Sequence, residues 1–281
     1  MRFKILSDST CDLPKEILDR YDITLVPLTV VKDGKDYKDG LDITPADIFD
    51  HVASGGELCS TSAVSVGEYE EFFEKYAAEY DGVLLINLGS GFSSSHQNAL
   101  IAAEDYPNVR CIDSASLSLG QGLIVMKAAE LAESCESLDA LAEAVRAYIP
   151  KVEGSFVLDQ LKFLVKGGRC SSLAALGANM LNLKPCISLN EGRLGVSKKY
   201  RGSYTRCLTN YVKERLEGRE DLDSDTLFLV YTVDQPKETL DAVREAVFQY
   251  GNFTNVIEAT AGCTISCHCG PGTLGLMYLK K

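Results

Sequence analysis

The 281-residue chain has no C-x-x-C pair and only three histidines, His51, His96 and His268. A zinc site built from paired thiols therefore has no basis in the sequence. No Walker motif and no G-x-G-x-x-G follows a strand-like run, so nucleotide binding has none either. Long apolar runs are missing too. The longest stretch without Asp, Glu, Lys or Arg, 82–103, carries Gly89, Ser90, Gly91, Ser93, Ser94, Ser95, His96, Gln97 and Asn98, which lipid would not hold cheaply. The opening MRFKILSDST lacks a signal-peptide core, and a cytoplasmic location is expected. Basic residues are few. Lys and Arg number 28 against 40 Asp and Glu, a net charge of −12 that argues against a nucleic-acid partner.

What is present is ordinary globular material, 46% hydrophobic and 24% charged, long enough for one large or two modest domains. Ten cysteines are present, most of them single among apolar or small residues, as reduced thiols used as small hydrophobes would be. The cluster Cys263, Cys267, His268, Cys269 is poorly spaced for a tetrahedral metal site, and no metal is expected. The charge is unevenly spread. Over 162–206 there are nine basic residues and one acidic residue, Glu191, a net +8 in an acidic chain. That stretch reads either as a docking surface for something anionic or as a solvated basic face.

The first half alternates strand-like and helix-like segments, with strands over 3–7, 82–88 and 109–113 and helices over 65–80, 93–106 and, in two pieces, 116–148. This favours a parallel sheet with helices packed on it. Asp33-Gly34 marks a hairpin, and Thr44-Pro45 opens a short helix. The second half differs. It offers helices over 161–166, 172–183, 203–216 and 236–250 and a hairpin around Asn190-Glu191-Gly192. The expected fold is α/β in two domains, an N-terminal one over 1–152 with a parallel sheet and a C-terminal one over 153–281 with a mixed sheet.

Four places could carry chemistry. Gly89-Ser90-Gly91 leads from a strand into Ser93-Ser94-Ser95, which opens a helix. Free N–H groups and hydroxyls there can grip an anion, and the bland alternative is that the serines only cap the helix. The same segment, G-x-S-x-S, is one residue short of a nucleophile elbow. With Asp159 or Asp234 and His268 following in hydrolase order, a serine hydrolase acting through Ser93 and His268 is the alternative function. Thr61-Ser62-Ala63-Val64-Ser65 forms a second hydroxyl-rich turn, in which Ser65 and Glu68 fit a capping box and Thr61 and Ser62 stay free as donors. His268-Cys269-Gly270-Pro271-Gly272 holds its ring in a sharply turned backbone, and Lys166-Gly167-Gly168-Arg169 projects an arginine. Such a set can grip a carboxylate or phosphate, and it is poor at breaking bonds.

In this order the motifs resemble the DegV family of bacterial fatty-acid-binding proteins. Asp8-Ser9-Thr10-Cys11-Asp12-Leu13-Pro14 looks like the family's D-S-T-x-D-L-P, and Thr61 to Ser65 is similar to T-S-x-P-S with Val64 for proline. Gly89 to Ser95 resembles S-S-x-L-S-G-T at Ser90 and Ser93, and His96 replaces a tyrosine. Asp113-Ser114, Ser118, Gly120 and Gly122, then Lys166 to Arg169 and His268 to Gly272, match the remaining blocks. The resemblance implies two α/β domains with a long-chain fatty acid in a tunnel between them and no other cofactor. It implies a carboxylate held by Thr61, Ser62, Ser93 and His268, on loops supported by Ser94, Ser95 and Gly270. It further implies a non-catalytic carrier that presents the acid to a separate fatty acid kinase for acyl-phosphate formation in phospholipid synthesis. Arg169 and Lys166 would dock that partner, and transient contact with a membrane surface fits such a role.

Overall fold

The computed structural model describes residues 1–174, 183–233 and 235–281. Seven strands come first: β1 (Phe3–Asp8), β2 (Thr24–Val26), β3 (Thr29–Lys32), β4 (Lys35–Lys38), β5 (Ser60–Ser62), β6 (Gly82–Asn87) and β7 (Val109–Asp113). Six follow: β8 (Val152–Val157), β9 (Leu183–Asn190), β10 (Arg193–Arg201), β11 (Leu222–Tyr231), β12 (Asn255–Thr260) and β13 (Leu274–Lys280). Strands β2-β1-β6-β7 form a wholly parallel sheet. A second sheet, β10-β9-β8-β13-β11-β12, is mixed, β11 with β12 being its only parallel pair among the described residues. A small antiparallel sheet, β4-β3-β5, stands apart from both. The architecture is α/β, and the change from parallel to mixed sheet falls at Val152, the first residue of β8.

Local chemistry accounts for much of this. Every residue of β6 is buried, as its apolar run requires when helices cover both faces. The helix Val66–Glu79 is opened by the expected box: Glu68 N–H donates to Ser65 Oγ (3.3 Å) and Ser65 N–H to the Glu68 carboxylate (2.7 Å). Asp33-Gly34 joins β3 to β4 in antiparallel register. The core, however, does not divide with the sheets. One continuous cluster takes in Leu84, Ile86 and Leu123 together with Phe156, Phe228 and Met277, all buried. Helix Leu119–Ala132 is the shared element, packing on β1 and β6 and also on β8 and β13. A second cluster covers the far face of the mixed sheet, around Tyr211 and Leu276, and a third underlies the small sheet, around Val30, Phe49 and Phe163.

Three expectations need correction. The helix expected over 93–106 is confined to Ser95–Ala102 plus one 3-10 turn, because Gly89 to Ser94 are used as a loop. Thr61 and Ser62 lie on a strand, β5, and not on a turn. His268 lies in the last turn of an unexpected helix, Cys263–Cys269. Of the helix expected over 172–183, Ser171–Ala174 is helical, and 175–182 lie outside the described residues.

The opening D-S-T-x-D segment is structural. Buried Asp8 accepts from Gln121 Nε2 (2.9 Å), Thr10 and the Leu88 N–H (2.6 Å), fixing the start of the loop after β6. Asp12 accepts from the Ser118 hydroxyl (2.6 Å) and the Gly262 N–H (2.9 Å). Burial, against those hydrogen bonds, pushes the Asp12 acid up to about 8. The folded state therefore keeps a proton that the unfolded chain sheds near its ordinary value of 3.8. Stability falls as pH rises from about 4 to about 8 and levels off above it. Asp8, also raised by burial, adds to the slope. Thermal midpoints recorded from pH 5 to 8 are expected to decline, and Asp12→Asn to make that decline shallower.

Candidate ligand-binding site

A cleft open to solvent is lined by residues of β5, β8 and β10 and of the loop after β6. Its polar side carries Thr61, Ser62, Ser93, Ser94, Arg169 and His268. The opposite wall is apolar, with Leu28, Leu117, Phe156, Leu164, Leu194 and Ile265. Leu117, Phe156, Ile265 and Cys269 also border a much smaller apolar pocket, which Val230, Ala261 and Met277 line as well. The polar groups and the apolar wall thus line one cleft, and a second, apolar pocket shares part of that wall.

Each polar group is delivered by a defined element. Strand β5 presents Thr61, paired with Val30 of β3, and Thr61 Oγ1 is 2.9 Å from His268 Nε2. The helix bearing His268 has no side-chain cap of its own, since Gly262 precedes it. Asp39, 224 residues away in sequence, supplies one: its carboxylate accepts from the N–H of Cys263 (2.9 Å) and of Thr264 (3.1 Å) and from the Ser9 hydroxyl (2.9 Å). Gly270, with φ of +73°, ends the helix against the Phe163 ring. The imidazole lies over Gly167, where a β-carbon would be 2.3 Å from His268 Nδ1. That nitrogen is buried without a hydrogen-bond partner among the described residues. Burial, with the Arg169 charge adding to it, pushes His268 down to about 4, so the ring is neutral at pH 7.

Ser93 Oγ accepts from the Ser95 N–H (3.2 Å) and lies 3.0 Å from Ser95 Oγ. Ser95 is buried outside the cleft and acts as a tie, its hydroxyl accepting from the Val64 N–H (3.3 Å). Asn98 Nδ2 donates to the Val64 carbonyl (2.7 Å), completing the link between the loop and the segment after β5. The Ser94 side chain makes no capping bond. Asp113 holds the other end of the loop through the Ser90 N–H (3.0 Å) and hydroxyl. The tip of the β9–β10 hairpin closes over it, the Gly192 carbonyl standing where a β-carbon on Gly91 would be.

Arg169, expected on a docking face, lines the cleft itself, donating to the carbonyls of Phe92 (3.3 Å) and Gly167. Lys166 is exposed in the last turn of helix Lys162–Gly167 and does not line the cleft. His51 and His96 lie elsewhere, His51 3.4 Å from Asp33 and His96 3.2 Å from Asn87 Oδ1. Sequence reasoning missed Asp39 and the apolar wall, whose residues come from separate elements and share no local pattern. Among the described residues the hydrolase arrangement is not assembled. Ser93 pairs with Ser95, His268 Nε2 pairs with Thr61, and no carboxylate meets His268 Nδ1 among the described residues. Asp159 is engaged by Lys184, and Asp234 lies outside the described residues.

Comparison with known proteins places this geometry. The family model described as "Uncharacterised protein, DegV family" matches residues 2–281. The chain belongs to the DegV family. A DegV domain-containing protein of Caldanaerobacter subterraneus subsp. tengcongensis is 33% identical over 284 residues, covering 100% of this chain and 99% of that one. Among solved structures, a fatty-acid-binding DegV family protein of Thermus thermophilus superposes with a TM-score of 0.89 at 30% identity, with 100% of both chains covered. A stearic-acid-binding protein of Eubacterium ventriosum gives 0.82 at 28% identity, covering 99% of this chain and 98% of that one. In this DegV chain the departure at Val64 has a physical reading, because its N–H makes the bond to Ser95 that a proline could not donate. No helix among the described residues is long and apolar enough to cross a membrane.

Proposed function

We propose that this chain binds a long-chain fatty acid with its carboxylate at the polar mouth and its tail in the apolar spaces, and presents that carboxylate to a separate fatty acid kinase. The observation that carries the reading is the juxtaposition of hydroxyl groups and an apolar wall in one cleft, with a second apolar pocket sharing that wall. DegV relatives described as fatty-acid-binding support it. Thr61, Ser62, Ser93 and Ser94 donate to the carboxylate, which neutral His268 cannot match with a full charge. Arg169 at the rim supplies the positive charge. The division into domains 1–152 and 153–281 belongs to this reading, with the cleft between them. The chain acts as a carrier and leaves the acid unaltered when alone.

Native mass spectrometry of freshly purified protein, followed by organic extraction, tests the ligand. One fatty acid per chain is expected, and a ligand-free protein that takes up no added palmitic acid would overturn the reading. For the kinase step, Lys166→Glu isolates docking, because that residue is outside the cleft. It is expected to lower acyl-phosphate formation by the reconstituted pair about fivefold or more with lipid affinity within about twofold, a charge-reversal loss of roughly 1 kcal/mol. Arg169→Glu is expected to lower both.

A further inference from the structure

The third hydrophobic cluster contains a pair of thiols that the ligand site does not use. Cys267 is buried in it, and Cys59, partly exposed, packs against it. The segments that carry them meet at Thr61 and His268, 2.9 Å apart, which brings the two thiols close enough for each to act on the other's ionisation. Cys59 stands two residues before Thr61, where an extended chain returns to the same face. Cys267 directly precedes His268. The thiols therefore lie beside the junction at which Thr61 and His268 join the same two segments.

We propose that Cys59 and Cys267 form a reversible disulfide on meeting a hydroperoxide, and that this bond locks the strand carrying Thr61 to the helix carrying His268. The second half of the proposal rests on the fatty-acid reading above.

The Cys59 thiol is held down to about 7 by its contact with Cys267, with His51 and Lys32 adding their fields and Asp33 opposing. A lowered thiol is the better nucleophile of the pair, and Cys59 is also the sulfur that solvent reaches. Cys267, facing Cys59, Cys263 and Asp39, is pushed up and stays protonated until attacked. The other nearby thiols are less suited. Cys263 donates to the Ile43 carbonyl (3.1 Å), and both Cys263 and Cys269 are pushed up to about 12 by burial. In the first step the Cys59 sulfur attacks the hydroperoxide. The O–O bond breaks, the sulfur becomes a sulfenic acid, and the peroxide's other oxygen leaves and takes a proton as alcohol or water. In the second step the Cys267 sulfur attacks Cys59 sulfur. The S–S bond forms, the S–O bond breaks, and hydroxide leaves with the Cys267 proton as water. Two thiols are oxidised by two electrons, and one hydroperoxide is reduced.

The full chain, loaded with palmitic acid, is treated with a slight excess of hydrogen peroxide, then digested under non-reducing conditions for mass spectrometry. The expected product is a Cys59–Cys267 linked peptide, two hydrogens lighter than its parts and cleaved by dithiothreitol. Transfer of palmitic acid to acceptor vesicles is expected to slow about tenfold on oxidation and to recover on reduction. Cys59→Ser, and independently Cys267→Ala, should remove both effects. Absence of the linked peptide, or a link to a different cysteine, overturns the proposal. A correct link with unchanged transfer overturns the locking. A correct link in protein that never binds palmitic acid counts against the fatty-acid reading and leaves the thiol pair standing.

Discussion

Leu117→Trp is expected to reduce affinity for palmitic acid by roughly a thousandfold. Leu117 is buried and borders both pockets. An indole there fills apolar space that the tail would use, and losing contact for about five methylenes at about 0.8 kcal/mol each removes about 4 kcal/mol. Ser93→Ala should do far less. It removes one hydroxyl from a mouth that keeps Thr61, Ser62 and Ser94, so affinity should drop about three- to tenfold, the worth of one net hydrogen bond. A binding titration of both variants settles the division of labour, with circular dichroism and a thermal melt to show that Leu117→Trp is folded. Equal losses, or a larger loss for Ser93→Ala, would mean that the head group and not the tail dominates binding.

Asp39→Ala is expected to lower folding stability by about 3 kcal/mol or more and to weaken ligand binding as well. The substitution leaves the buried N–H groups of Cys263 and Thr264 and the Ser9 hydroxyl without their acceptor, at about 1–3 kcal/mol for each buried donor. The seven-residue helix that carries His268 would lose its only cap at the N-terminal end. Its far end should then fray from Thr61. Urea denaturation reads the first effect, and a titration at a temperature where the variant is still folded reads the second. Asp39→Asn, which keeps one acceptor, should recover part of each. A stable variant with normal affinity would show that the helix is held by its packing alone.

Much of the fold was legible because its causes are local. The apolar run of β6, the Ser65–Glu68 box and the Asp33-Gly34 turn each act within a few residues, and each is found as the sequence suggests. The helix Cys263–Cys269 was not legible for the opposite reason. Its sequence, CTISCHC, is poor in helix formers, a glycine stands at its N-cap, and its cap comes from a distant aspartate. Strand β5 is three residues of serine and threonine that pair only because β3 offers an edge. Thr61, Ser93 and His268 could be named as candidates one by one from their hydroxyl and ring chemistry. That they share one cleft follows from a pairing between residues 207 apart, which only the family resemblance anticipated. Arg169 was singled out for its charge, and its place on the cleft rim depends on a contact with Phe92 that no local pattern encodes.

The continuous cluster that joins Leu84 and Leu123 to Phe156 and Met277 has a bearing on traffic. An interior owned jointly by both sheets cannot be prised apart like a shell without baring it to water, at a penalty far above what one lipid could repay. Under the proposed function, exchange of the lipid is therefore expected at the open side of the cleft, with the two sheets staying together.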